Sequence, residues 1–391
     1  MFRLLYIFLT AIGMMMPMAV YACTSVIISA SASPDGRPMM WKNRDTGFLD
    51  NRLEHFKGEK YSFVGLVNSQ EGVLGREVWI GSNTAGFSIM NTASYCLKDD
   101  EVSSSDMDRE GVLMARALEI CATLSDFEHF LDTLTRPMGV EANFGCIDAF
   151  GGAAYYETSN WGYVKRDVTS MEDGYCVVTN FSVTGRKEDW KGVERFRTAS
   201  SIFARQRKNH GRFMRMDPLI IMDSLSRSYE HQGDNLYIPR YLTSSAVVIH
   251  GVKPGESPLN TVVWAAVGYP DSALMIPVPV TEEDHIPAGF KRTSDNELCE
   301  ACELSLKIKE DIFHEGKTGP VDFASVNASR RFMQQIEREV ADEFKTLFSS
   351  YISGKISYRS YLKRYDKRSV LYIEKVRKGL ESYYDFKKSI K

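Results

Sequence analysis

The chain has 391 residues, 48 Lys and Arg against 51 Asp and Glu, a formal net charge of −3 and 43% hydrophobic residues. This is the composition of a globular protein with a sizeable core, mixed in charge, and the near balance argues against a chain-wide field for nucleic acid. Seven cysteines in a chain of this length do not make a disulfide scaffold.

The first segment is a short positive start, Met1-Phe2-Arg3, followed by the apolar run LLYIFLTAIGMMMPMAV and then Tyr21-Ala22-Cys23. That order is the order of a secretory signal peptide, residues 1–22, with cleavage after Ala22 baring Cys23. Two other outcomes compete. The run is nearly long enough for an uncleaved anchor, and a cysteine just after a signal is also where bacterial lipoproteins are acylated. Tyr21, bulky where lipidation signals carry a small residue, favours simple cleavage, so the chain is expected to be exported to the periplasm or the medium.

After the cut, CTSVIISASAS is rich in β-branched residues and ends at Pro34-Asp35-Gly36, a turn signal, after which RPMMWKNRD returns as a second strand. This hairpin brings Cys23 near Lys42, Asn43, Arg44 and Asp45. YSFVGLVNS and EVWIGSNTAGFSIMNTASY continue an antiparallel sheet, with a turn at 83–86. Helical spacing then runs over 109–134, with a second helix opening at a Ser125–Glu128 capping box.

Strands return in NFGCIDAFGGAAYYETS, WGYVKRDV and GYCVVTNFS, helices at 193–206 and 218–228, and strands in SSAVVIHGV, TVVWAAVGYP and ALMIPVPV. Runs of strands alternating with runs of helices argue α+β, two sheets with helices outside, rather than a parallel βαβ fold. No Gly-rich phosphate loop and no H-E-x-x-H pattern appears. Residues 291–391 read as a helical extension whose last part, 355–391, has twelve Lys and Arg against four Asp and Glu. Its basic, tyrosine-rich face could meet nucleic acid or an anionic surface, but an exported protein seldom meets nucleic acid, and a charged helix face is usually only solvated. Cys299-x-x-Cys302 lacks a second pair, which favours a local disulfide or two unpaired thiols over a zinc site.

An N-terminal cysteine can act as nucleophile with its own α-amine as general base. An α-amine and a thiol ordinarily titrate within about one pH unit of each other, so proton exchange between them is easy. Such a residue further needs an acceptor for the amine, donors for an oxyanion and a nearby cation. CTS at a processed N-terminus, KNRD, GSNTAGFSIMNT, VVTNFSVTG and GVERFRTA, in that order and spacing, resemble the successive motifs of the penicillin V acylase, choloylglycine hydrolase and isopenicillin N acyltransferase group of N-terminal nucleophile hydrolases. The resemblance covers about Cys23 to Val280, with the helical extension outside it.

The resemblance implies a four-layer αββα sandwich over residues 23–290, with Cys23 as nucleophile and its amine as base. It makes Asp45 the acceptor that holds the amine, Asn180 and Asn91 the lining of the oxyanion hole, and Arg195 the arginine beside the nucleophile. Lys42 stands where the acylases carry an arginine and Arg44 lies two residues on, on the same strand face; either could supply a substrate-facing cation, though a lysine gives no bidentate fork. The reaction implied is hydrolysis of a linear amide or acyl transfer, without metal or organic cofactor. Its substrate would be a small amide or peptide: an N-acyl amino acid, a β-lactam side chain, a small peptide or, least favoured, a bile conjugate. Membrane contact is expected only through the leader or a lipid anchor, and a homo-oligomer is compatible with the sequence. The rival reading from another class is a lipid-anchored binding or scaffold protein with Cys23 acylated.

Overall fold

The computed structural model describes residues 22–389 apart from 71–75, 100, 207–212, 214, 231–236 and 293–298. The expected leader lies outside the described residues save for Ala22. In chain order the strands are β1 (Thr24–Ile28), β2 (Met39–Asp45), β3 (Asn51–Phe56), β4 (Phe63–Asn68), β5 (Ile80–Asn83) and β6 (Ser88–Ala93), then, after helices α1 (Glu110–Ile120) and α2 (Leu124–Thr133), β7 (Ala142–Ile147), β8 (Ala153–Thr158), β9 (Tyr163–Asp167) and β10 (Tyr175–Val178). Helices α3 (Val193–Gln206) and α4 (Pro218–Ile221) precede β11 (Thr243–His250), β12 (Val262–Val267) and β13 (Met275–Pro279). Four helices close the chain: α5 (Glu300–Ile312), α6 (Phe323–Ile352), α7 (Tyr358–Ser369) and α8 (Tyr372–Ser389).

The first sheet has strand order β10-β1-β2-β11-β12-β13 and the second runs β3 to β9 in sequence order. All the pairings are antiparallel. Ile27, Met40 and Ile249 of the first sheet share a core with Leu66, Ile80, Met90 and Tyr155 of the second, so the sheets face each other. The outer face of the second sheet buries Phe87, Ile89, Phe144 and Tyr156 against Leu118, Phe127 and Leu131 of α1 and α2. The outer face of the first sheet carries α3, α4, α5 and α6. The result is the four-layer αββα order, with β11 and β12 buried along their length except at His250. Strands covered on both faces read as continuous apolar runs, which is why AVVI and VVWAAV show no alternation.

The C-terminal helices share the core of the first sheet. Phe344 of α6 meets the Trp264 ring edge-on, 5.5 Å between centroids, and Tyr365 of α7 donates to the Pro277 carbonyl at 2.8 Å. Arg227, fully buried, makes a fork to Glu337 of α6 at 2.7 and 3.0 Å, and the same carboxylate accepts from the Met275 amide at 2.7 Å. This pairing ties α6 to the edge strand β13.

Three local expectations change. The capping box that opens α2 is Thr123 with Asp126, not Ser125 with Glu128: Thr123 Oγ1 accepts from the Asp126 amide at 3.0 Å and Asp126 Oδ2 accepts from the Thr123 amide at 2.9 Å. Starting two residues earlier buries Leu124 along with Phe127 and Leu131. The helix expected over 218–228 begins as α4 and widens into a π-helical turn, Met222–Ser226, whose Ser226 hydroxyl takes the Trp41 indole N–H at 2.8 Å. The strand β3 was not foreseen, because its charged sequence NRLEHF hides an edge strand whose Arg52 reaches Glu54 and the backbone of Asn68.

Candidate active site

Strand register assembles the site. Thr24 pairs with Asn43 on β2, and Ser25 pairs with Val178 on β10, so one step further Cys23 lies between Arg44 and Asn180. Ser25 faces the second sheet, where its hydroxyl meets Tyr155 at 2.9 Å; by two-residue alternation Cys23, Lys42, Arg44 and Asn180 share that inner face. Thr24, Asn43 and Asp45 face the outer helices. The Cys23 thiol lies 4.0 Å from the Asp45 carbonyl oxygen, and in the unprocessed chain its nitrogen is still an amide to Ala22.

Arg195, one turn into α3, is buried. Its Nη1 donates to the Cys23 carbonyl at 2.6 Å and to Thr24 Oγ1 at 2.7 Å, and its Nη2 donates to Asn180 Oδ1 at 2.8 Å. Burial lowers its pKa to about 10, helped by Arg240 and opposed by Asp45 and Cys23, so it remains a cation at neutral pH. Gly192, at φ +77°, makes this approach possible: a Cβ there would stand 2.3 Å from Arg195 Nη2. Asn180 Nδ2 donates to the Ala93 carbonyl at 3.0 Å, which leaves its second proton for a bound molecule.

Lys42 is buried and donates from Nζ to the Trp79 carbonyl and to Asn91 Oδ1, both at 2.7 Å. Trp79 immediately precedes β5, so the lysine reaches past the end of that strand to β6. Burial pulls its pKa down to about 8; Cys23 raises it, Arg44 lowers it and Glu110 raises it. Asn91 therefore has its oxygen occupied by Lys42, and only its Nδ2 can face a substrate oxygen. Arg44 turns to the second sheet, donating to Asn51 Oδ1 and to Asn68 Oδ1 at 2.8 Å, with its guanidinium 4.8 Å above the Trp79 ring.

Asp45 is held by residues that sequence reasoning missed. Its Oδ1 accepts from Asn43 Nδ2 at 3.0 Å and Thr243 Oγ1 at 2.7 Å, and its Oδ2 accepts from Arg240 Nε at 2.7 Å. One acceptor direction on Oδ2 remains. Arg240 also donates from Nη2 to the Ala22 carbonyl at 2.8 Å. From the helical extension, Lys309 of α5 donates to the Thr243 carbonyl at 3.0 Å, under the rings of Tyr241 and Tyr269. Burial lowers its pKa to about 7, against the pull of Cys302 and Asp45. Arg240 and Thr243 lie in a stretch with no motif. Lys309 had a signal: at three- and four-residue spacing it falls in line with Cys302, Ser305 and Ile312, an uncharged stripe that α5 buries, where a lysine is out of place.

All seven cysteines are free thiols and buried. Cys299 donates to the Asn51 carbonyl at 3.1 Å and Cys302 to the Leu49 carbonyl at 3.5 Å, so the C-x-x-C pair holds the segment whose Asn51 receives Arg44. Among the described residues no group of three or more His, Cys, Asp or Glu is placed to hold a metal ion.

The chain is similar to solved structures of three amide hydrolases. A variant of conjugated bile acid hydrolase from Clostridium perfringens shares 11% identity over 67% of this chain and 94% of that one, with a TM-score of 0.44. A Caenorhabditis elegans N-acylethanolamine-hydrolyzing acid amidase ortholog shares 16% over 58% and 92%, TM-score 0.42. Penicillin V acylase from Agrobacterium tumefaciens shares 13% over 66% and 86%, TM-score 0.38. No protein-family model and no curated protein matches the chain.

Proposed function

We propose that this protein is an exported cysteine amidase or acyltransferase that cleaves a linear amide through a thioester on Cys23. The observation that carries the reading is the row Asn180, Cys23 and Arg44 on one sheet face, braced by Arg195 bonding both the Cys23 carbonyl and Asn180 Oδ1.

Removal of the leader converts the Cys23 amide into an amine, and the free direction on Asp45 Oδ2 accepts one of its protons. The sulfur attacks the substrate carbonyl carbon while the amine takes the thiol proton. The oxyanion takes a hydrogen bond from Asn180 Nδ2, with Asn91 Nδ2 as the second donor, a contribution on the order of 3 kcal/mol per donor. Lys42 supplies positive charge on the sulfur's side. Collapse expels the amine carrying that proton, leaving the acyl group on sulfur. Water, or a second amine in the transferase case, attacks the thioester, gives its proton to the α-amine and frees the acid or the new amide. N-acyl amino acids, acylated amines and small peptides are the substrates to test first.

The test joins intact mass of the mature N-terminus with turnover of a panel of such amides by wild type, Cys23→Ser and Cys23→Ala. A free N-terminal Cys23 and loss of turnover in Cys23→Ala support the reading. A diacylglyceryl adduct on Cys23, or full turnover by Cys23→Ala, overturns it.

A further inference from the structure

Away from the site, α7 presents a face that the fold leaves without a partner. Between residues 355 and 371 the chain carries six cations, Lys355, Arg359, Lys363, Arg364, Lys367 and Arg368, against one carboxylate, Asp366. That carboxylate is already engaged by His285 Nδ1 at 2.7 Å. On the helix, Tyr361, Tyr365 and Ser369 form the buried side. At 100° per residue Lys363 and Lys367 lie at the centre of the opposite side, with Arg359 and Arg364 flanking them; all four are exposed. Neither these four nor Lys355 has a carboxylate within ion-pairing distance among the described residues, whereas on the neighbouring α8 Lys375 pairs with Glu339 and Glu343 and Arg377 with Glu300.

Large apolar side chains stand at both ends of this basic face. Val370 and Leu371, just past α7, are 57% and 47% exposed, and Ile352, at the end of the antiparallel helix α6, is 43% exposed. The wheel carries Val370 and Leu371 onto the same side as Lys363 and Lys367. Cations beside apolar side chains at the rim fit a bilayer interface, where the charges meet anionic headgroups and the apolar groups enter the headgroup boundary. They do not fit single-stranded nucleic acid, which would call for rings on which bases stack: Tyr361 and Tyr365 are turned into the core and Tyr358 packs on Tyr351 and Tyr361. None of the described helices is long and apolar enough to cross a membrane, so the contact is peripheral.

We infer that the outer face of α7, centred on Lys363 and Lys367 and tipped by Val370 and Leu371, docks the protein on an anionic lipid surface independently of its leader. The inference stands apart from the chemistry at Cys23 and survives its failure.

The experiment is vesicle co-sedimentation of the full chain and of the variant Lys363→Glu, Arg364→Glu, Lys367→Glu. The vesicles are phosphatidylcholine alone or phosphatidylcholine with phosphatidylglycerol. The leader is common to both chains, so their difference reads α7. Wild type is expected to bind the phosphatidylglycerol vesicles far more tightly than neutral ones, and to lose that preference near ~1 M salt, where screening acts within ~3 Å. The triple variant is expected to lose about a hundredfold in that affinity, at roughly fivefold per basic residue. Unchanged far-ultraviolet circular dichroism confirms that it folds, and Val370→Ser with Leu371→Ser, which keeps every charge, should weaken binding less while leaving its salt dependence. Equal binding by wild type and triple variant, no preference for phosphatidylglycerol, or tighter retention of wild type by a single-stranded RNA oligonucleotide than by the vesicles would each overturn the inference.

Discussion

Arg195 decides which end of the Asn180 amide faces Cys23. Because Nη2 of the arginine can only donate, it claims Asn180 Oδ1 at 2.8 Å, and Nδ2 must turn the other way. A helix outside the first sheet thereby orients a donor that belongs to its inner face. The same guanidinium donates to the Cys23 carbonyl, so one side chain braces both Cys23 and Asn180.

Asn180→Ala should lower kcat about 10²- to 10³-fold with little change in KM, the signature of a donor used in the transition state. Arg195→Lys should fall in the same direction, since a lysine cannot hold three acceptors in a planar fork. Steady-state kinetics on any amide the wild type cleaves decides it; an Asn180→Ala enzyme with wild-type kcat removes the oxyanion role.

Lys42 links rate to alkaline pH. With its pKa lowered to about 8 by burial, it is charged below that pH and neutral above, so kcat/KM should decline as pH rises through about 8. Lys42→Arg should move that limb upward, because guanidinium stays protonated, and Lys42→Met should depress the rate below about pH 8 and converge with wild type above it. A pH–rate profile of the three proteins gives the answer, and a limb that stays put in Lys42→Arg counts against the lysine.

Lys309 carries a pH signature in stability. Its folded-state pKa, about 7, is below that of an unfolded lysine, about 10.4, so between these values the unfolded chain binds more protons and stability rises with pH. The penalty is complete below about 7, on the order of 4 kcal/mol, and fades toward 10. Lys309→Met should be more stable relative to wild type at pH 6.5 than at pH 9.5, as urea unfolding at the two values would measure. A pH-independent difference would show that Lys309 does not titrate in this window.

Glu110 should behave in the opposite sense. Burial raises its pKa to about 7 against the backbone amides that bond it, so between about 4.5 and 7 the folded state holds the extra proton and stability falls as pH rises. Glu110→Gln should gain on wild type above pH 7 and not near pH 4.5. Thermal unfolding across that range tests the sign.

Glu337 anchors the last helical layer. Glu337→Ala leaves the buried Arg227 guanidinium with Asp223, at 2.8 Å, as its remaining carboxylate and strips the Met275 amide of its acceptor, and rupture of a buried pair costs about 3 kcal/mol when one partner charge remains nearby. Chemical denaturation should show that loss, whereas Glu339→Ala, which removes only one of two partners of Lys375, should change stability by less than about 1 kcal/mol.

Much of this was legible in the chain. The hairpin of β1 and β2 followed from TSVII, Pro34-Asp35-Gly36 and the return MMWKNRD, and with it the closeness of Cys23 to Asp45, because register is set by alternation once one face is buried. The run VERFRTA gave α3 but not the burial of Arg195, since a helix-start arginine in a polar sequence carries no sign of a facing carbonyl. Thr123 outranked Ser125 as cap because the longer helix buries Leu124. Arg240, with no motif around it, was invisible: its bond to Asp45 spans 195 residues.

The sequence alone determined the order of elements apart from β3, the hairpin that sets Cys23 beside Asp45, and the run of helices after β13. These depend on local periods of two and 3.6 residues and on turn chemistry, which are written in neighbouring positions. Only the tertiary structure decided that α5 and α6 join the outer layer of the first sheet, that Lys309 stands beneath Thr243, and that Lys42 is held by Trp79 and Asn91 of the second sheet. Those outcomes depend on contacts between residues far apart in the chain, where the loss of water around a charge and the choice of its partner are settled by packing and leave no trace in any single segment.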